Sequence, residues 1–376
     1  MKKHKTLIIF TIVALFSIVI YKISRHFPDF VTKYYSNGAY NLITAPLKWI
    51  THLLPFSIGE IVLLILVICI ILTLILSVYK TISAGKKQKT FVYKPLLKFL
   101  AFIIILAELA VSVFIWSGGL NYNSQTIYTR LGYNDSKTYS AKELYQMTVC
   151  YIEMANTIRE ALPEEDAGNL KQMYNFNELA KIAGEAYVTM PEKYNKLLAD
   201  GFFTNAKPAL FSKWMCYTNI TGIYPYMIPE PVINKYTPVA SLGSTVCHEM
   251  AHQRAIARED EANFISFIAC INSENSYLQY SGYYSAIINC LNSLYSVNYQ
   301  LWTEAWKHMS DDIKADINYS ITFWDKYDTK IGEISEKVND TYLQANNIKD
   351  GVASYGRLTD LLLADYYSKG SAGSVG

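Results

Sequence analysis

Three apolar runs in the first third of the chain constrain its fold more than any other feature. They extend from about Thr6 to Ile23, from Ile58 to Tyr79 and from Pro95 to Trp116. Each approaches or exceeds the ~20 residues that a helix needs to cross a hydrocarbon core of ~30 Å. Nearly uncharged runs of this length rarely occur in soluble cores. Residues 1–116 are therefore expected to form a three-helix transmembrane region (spans about 6–23, 58–79 and 95–116), with 117–376 as a separate domain. Lys2, Lys3 and Lys5 would also suit the start of a signal peptide. The first run is long, however, and Ser24-Arg25-His26-Phe27-Pro28 makes a poor cleavage site, so an uncleaved span is expected instead.

Charge divides the chain at the same place. Residues 1–116 hold 13 Lys/Arg and only Asp29, Glu60 and Glu108 as acids, which leaves 21 basic and 29 acidic residues in the remainder. An acidic domain of this size argues against nucleic acid as a partner, because phosphates need a basic patch. Lys80, Lys86, Lys87, Lys89, Lys94 and Lys98 flank or separate the second and third runs, whereas the loop at 25–57 has only Arg25, Lys33 and Lys48. The positive-inside bias then puts the N-terminus and the 80–98 loop in the cytoplasm and 117–376 outside. Glu108, within the third run, reads as a protonated or locally paired carboxyl in a helix contact.

The outer domain reads as mostly helical. Ser140-Ala-Lys-Glu143 has the form of a capping box, and Leu144, Met147, Tyr151, Met154 and Ile158 follow at helical spacing until Leu162-Pro163. Ser310-Asp311-Asp312 suits a helix start, and the face Ile313, Ile317, Ile321, Trp324, Ile331, Ile334, Val338 and Tyr342 is expected to meet the core. A last helix is expected from about Ser354 to Tyr367. Three prolines make Thr221–Asn234 an edge strand or extended loop.

The chemistry concentrates in His248-Glu249-Met250-Ala251-His252-Gln253. Two histidines four apart on a helix share a face and can ligate one metal, with the intervening Glu249 able to take a proton from an attacking water. Pro238 with Ser241, Ser244 or Thr245 suits the start of that helix. A catalytic zinc site needs a third protein ligand and an open position. The domain's one other histidine is His308, so the choice lies between it and a carboxylate. Glu259 is the better candidate, with Glu261 as the alternative. On an unbroken helix Glu259 would lie ~10 Å too far along the axis, so the chain must turn back around Gln253–Arg258. Asn263, four residues on, would share the face of Glu259 and could hydrogen-bond a ligand. Cys247, pointing about 100° away from His248, reads as a buried thiol rather than a nucleophile. Cys69 lies in the second run. The remaining cysteines show no spacing that fixes a pairing, and no CxxC pair exists.

The HExxH string followed by Glu259-Asp260-Glu261-Ala262-Asn263-Phe264 resembles the gluzincin metallopeptidases. It is most similar to a family of bacterial membrane-anchored proteins, the domain of unknown function 3810. Gln279-Tyr280-Ser281-Gly282-Tyr283 and Tyr355-Gly356-Arg357-Leu358 strengthen that similarity, whereas Ala255 stands where related sequences favour Gly. The resemblance implies a mainly α chain, in which a three-helix transmembrane region carries an extracytoplasmic, mostly helical, gluzincin-like zinc-peptidase domain with a small edge strand or sheet. It implies one Zn2+ held by His248, His252 and Glu259, in a multi-pass protein of the bacterial cell membrane. The activity expected is hydrolysis of peptide or amide bonds by zinc-activated water with Glu249 as general base. Tyr280 and Arg357, in the family-like strings, are candidate donors to the transition state. Expected partners are the lipid bilayer and a peptide or protein substrate, cell-wall peptides included. The alternative is a non-catalytic, membrane-tethered binding or sensor protein with a structural or vestigial metal site.

Overall fold

A computed structural model of the protein describes residues 2–88, 93–134, 137–346 and 357–369. Lys89, Ser354 and the Tyr355-Gly356 pair lie outside the described residues. The chain is mostly helical, and three helices are long and apolar enough to cross a membrane: Lys5–Ser24, Ile58–Lys87 and Lys94–Ser117. The first and third of these pack together. Thr11 Oγ1 donates to Glu108 Oε1 at 2.6 Å and Trp116 Nε1 to Ser17 Oγ at 3.0 Å, so the acid within the third span is locally paired.

The segment between the first two spans is no simple loop. A π-helical stretch, Val31–Ala39, leads into the inter-span helix Tyr40–His52. That helix lies against the C-terminal part of the protein. Tyr40 is fully buried, and its hydroxyl meets Tyr224 Oη at 3.0 Å. Lys48, also fully buried, donates through Nζ to Asn41 Oδ1 at 2.7 Å and to the Gln253 carbonyl at 3.3 Å. Burial, with the Arg254 charge adding to it, pulls the Lys48 ammonium down to about 7.

The large hydrophobic core lies beyond the spans. The helix Ala141–Glu160 opens on the expected capping box and ends before Pro163. It packs on the long central helix Ser276–Val297, which also supports the motif helix Val239–Gln253 and the following helix Glu259–Ile271. Close approach explains two glycines there. A Cβ on Gly282 would sit 2.5 Å from that of Cys270, and one on Gly243 would sit 2.9 Å from Leu278. All six cysteines are unpaired, and Cys247 is buried.

Three two-residue strands form a small sheet in the order β1 (Lys207–Pro208), β3 (Val232–Ile233), β2 (Gly222–Ile223). β3 runs parallel to β1 and antiparallel to β2, which leaves β2 at an edge. Glu230, fully buried beside β3, accepts from Lys207 Nζ at 2.9 Å and from the Gly59 amide at 2.7 Å. Glu60 in turn accepts from the amides of Leu210 and Phe211 at 2.7 and 2.9 Å. The sheet is thus fastened to the first turn of the second span.

The 313–342 stripe departs from expectation. It divides into Asp311–Asp325 and Lys330–Ala345, and beyond Ile317 its apolar residues Ile321, Ile331, Ile334 and Val338 are exposed. The break at Lys326–Thr329 redirects the second helix towards the span ends, where Asn346 accepts from Tyr21 Oη at 3.1 Å. The last helix is Arg357–Ser368 among the described residues.

Candidate metal centre

The motif helix begins directly after Pro238 and brings His248 and His252 to one face near its C-terminal end. The chain then reverses through Arg254–Arg258, with Ala255 in the left-handed region at φ 70°. Amides of Arg254 and Ile256 both bond the Ala251 carbonyl, at 2.9 and 3.3 Å. The next helix starts at Glu259, as the axial-distance argument requires.

Three ligand atoms converge there. His248 Nε2 lies 3.0 Å from Glu259 Oε2, His252 Nε2 lies 3.1 Å from His248 Nε2, and the third edge, His252 Nε2 to Glu259 Oε2, is 3.6 Å. These residues form a group able to hold a metal ion. His252 Nδ1 lies 2.7 Å from the Ile256 carbonyl. A carbonyl only accepts, so Nδ1 carries the proton and the Nε2 lone pair of a neutral ring faces the cluster. The reversing turn therefore both delivers Glu259 and sets the tautomer of His252.

The cluster has a deficit of positive charge. Burial works against the His252 cation, but the Glu259 carboxylate outweighs it and raises His252 to about 9. Burial would likewise raise Glu259, yet the two imidazoles, His252 foremost, hold it well below the ordinary carboxylate range. A proton or a metal ion can satisfy the same lone pairs. Glu249 is buried beside them, and that burial raises its carboxyl against the opposing pull of His248 and His252. A Cβ on Gly222 would come within 2.6 Å of Glu249 Oε1, so edge strand β2 runs directly against this carboxylate.

The three consecutive acids of the second helix diverge. Glu259 turns to the histidines, Asp260 pairs with Arg357 at 3.5 Å, and Glu261 accepts from the Ile127 amide at 2.8 Å while lying 3.4 Å from Arg258. Glu261 is therefore not the converging carboxylate, and Arg357 sits behind the helix on Asp260. His308 ends the helix Tyr299–His308 against Tyr145, away from the cluster. The side chain of Asn263 makes no hydrogen bond to a described residue, so the expected support of a ligand is not formed.

The profile described as Protein of unknown function (DUF3810) matches residues 35–363. The chain belongs to this family. No curated protein and no solved structure matches it. The family match takes in the inter-span helix, the sheet, both helices of the cluster and the start of the last helix.

Tyr280 does not serve the cluster. It is fully buried and its hydroxyl donates to Asp316 Oδ2 at 2.5 Å. Asp316 also accepts from Arg159 Nε at 2.9 Å and from the Leu170 amide at 2.5 Å. The family-like string around it is a packing string, with Ser281 Oγ accepting from the Ser244 amide at 2.8 Å.

Tyr226 was hidden from sequence reasoning. Its ring lies 6.4 Å from that of His252, and 5.1 Å and perpendicular to that of Tyr224, which itself stacks on His252. Only 6% of Tyr226 is exposed, and its buried hydroxyl has no hydrogen-bond partner among the described residues. Both Glu249 and Glu259 add to the burial that pushes this phenol well up. Tyr224-Pro-Tyr226 resembles any aromatic turn, and only the orphaned hydroxyl distinguishes it.

Proposed function

We propose that this protein is a membrane-anchored, zinc-dependent metallopeptidase that hydrolyses peptide or amide bonds on the extracytoplasmic side. The convergence of His248, His252 and Glu259 carries this reading. Their edges of 3.0, 3.1 and 3.6 Å bracket the ~3.3 Å edge of a tetrahedron with metal–ligand bonds of ~2.0–2.1 Å. Two neutral imidazoles and one carboxylate make a donor set that suits zinc, and the fourth corner is left for substrate or water. When bound, zinc would polarise a carbonyl and make water more acidic.

The chain's own groups complete the chemistry. Glu249, buried and raised, takes the proton of the attacking water and hands it to the leaving amine. The Tyr226 hydroxyl, with no partner among the described residues, donates to the oxyanion as charge develops on it. An extended peptide adds to the outer edge of β2, with which no described strand pairs, and so runs past Glu249. The lysine-rich loop between the second and third spans supports an outward-facing C-terminal domain.

The test compares the purified full chain with its Glu249→Gln variant by metal analysis and by hydrolysis of a mixed peptide library. Both should hold one zinc per chain, with hydrolysis about 10²–10⁴-fold lower in the variant. Equal behaviour of the two would leave a structural or vestigial metal site.

A further inference from the structure

The inter-span helix Tyr40–His52 is amphipathic the wrong way round. Its inward positions are Asn41, Thr44, Lys48 and Thr51, all buried against protein. Its outward positions include Leu42, 79% exposed, and Trp49, 58% exposed. Water would penalise such a face by ~25 cal/mol for each Å² of apolar surface, and contiguous apolar patches mark contact with a partner or a membrane. Phe27, Phe30, Leu210 and Trp214 are exposed as well, the last 69%.

This belt lies level with the span ends. Tyr35 Oη donates to the Trp116 carbonyl at 2.9 Å, one residue before the third span ends at Ser117. The amides of Leu210 and Phe211 are bonded to Glu60 in the first turn of the second span. The metal centre is close to the same level. Phe114, in the last turn of the third span, contacts the Tyr226 ring at 6.0 Å, and Tyr226 contacts His252 at 6.4 Å.

We infer that the inter-span helix and the Leu210–Trp214 turn lie in the headgroup layer with their apolar faces in the acyl chains, so that the metal centre works at the bilayer surface on the juxtamembrane stretch of polypeptides anchored in the same membrane. The placement stands on the inverted helix alone; the substrate class rests on the hydrolase reading above. A headgroup layer is roughly 5–8 Å deep. Extended chain covers ~3.3–3.6 Å per residue, so about two or three residues cross that layer and the cleaved bond falls about that close to the substrate's own span.

Two measurements on the full chain in phosphatidylcholine vesicles test the two halves separately. With lipids brominated high on the acyl chain, tryptophan emission should be quenched more in the wild type than in a Trp49→Phe/Trp214→Phe variant. Equal quenching overturns the placement. One peptide cassette is then offered in three forms: fused directly after a transmembrane helix, fused through a flexible linker of about 40 residues, and free. The direct fusion should be cut roughly tenfold faster than the linker form, with the free peptide slowest. Equal or faster cutting of the linker or free forms overturns the substrate class and leaves the hydrolase reading standing. If no form is cut, and wild type and Glu249→Gln behave alike, the hydrolase reading falls and takes the substrate class with it. The quenching result still decides the placement.

Discussion

Two buried polar constellations lie on the same scaffold and obey opposite rules. Around Asp316, every strong group is matched: Arg159, Tyr280 and the Leu170 amide all donate to its carboxylate. Around His248, matching is incomplete. Three possible ligand atoms face one another, His248 Nδ1 and the Tyr226 hydroxyl are buried with no partner among the described residues, and Glu249 is flanked by the glycine of an edge strand. Buried polar atoms left unsatisfied are costly, so such a site gains stability from whatever completes it, and on the reading proposed above that is a metal ion. The satisfied constellation holds the fold, and the unsatisfied one is where the proposed chemistry would lie.

The comparison breaks most readily at the carboxylates. Glu259→Ala should abolish stoichiometric zinc in the full chain, whereas Glu261→Ala should retain it and lose about 1–3 kcal/mol of stability by orphaning the Ile127 amide. Metal analysis with thermal melting separates the two. Asp316→Ala should lower stability by about 3–5 kcal/mol, because it strands the buried Arg159 cation. Zinc bound per folded chain should be unchanged. If that variant instead empties the metal site at full stability, the division between the two constellations is wrong.

A finer distinction is offered by two tyrosines of similar burial. Tyr226→Phe should reduce kcat by about 10²–10³ with the melting temperature unchanged, since its hydroxyl bonds no described residue. Tyr280→Phe should do the reverse, costing about 1.5–3 kcal/mol of stability and leaving kcat alone. The smallest expected effect is at the turn. Ala255→Gly should stabilise by about 1 kcal/mol, because an L side chain at φ 70° is strained, and chemical denaturation reads it.

What could be read from the sequence follows from the range of the interaction concerned. Spans, the capping box at Ser140 and the HExxH face depend on neighbours within a few turns, and the turn that brings Glu259 back followed from a rise of ~1.5 Å per residue. Tyr226 and Tyr280 could not be told apart, because partners 36 residues away in Asp316, or none at all, decide their roles. The inward polar face of Tyr40–His52 was equally hidden: a helix pattern gives the two faces without saying which one meets protein. β1 carries too little chain, two residues, to leave a signal.

The motif helix ends on groups that come from the anchor. Tyr40 and Lys48 reach the carbonyls of its last residues, and Tyr40 also holds Tyr224, which stacks on His252. A water-soluble truncate beginning at residue 117 would keep all three converging side chains yet leave behind the buttress that squares them. Grafting the HExxH string onto a foreign tether would fail for the same reason: here the leash is also part of the hand.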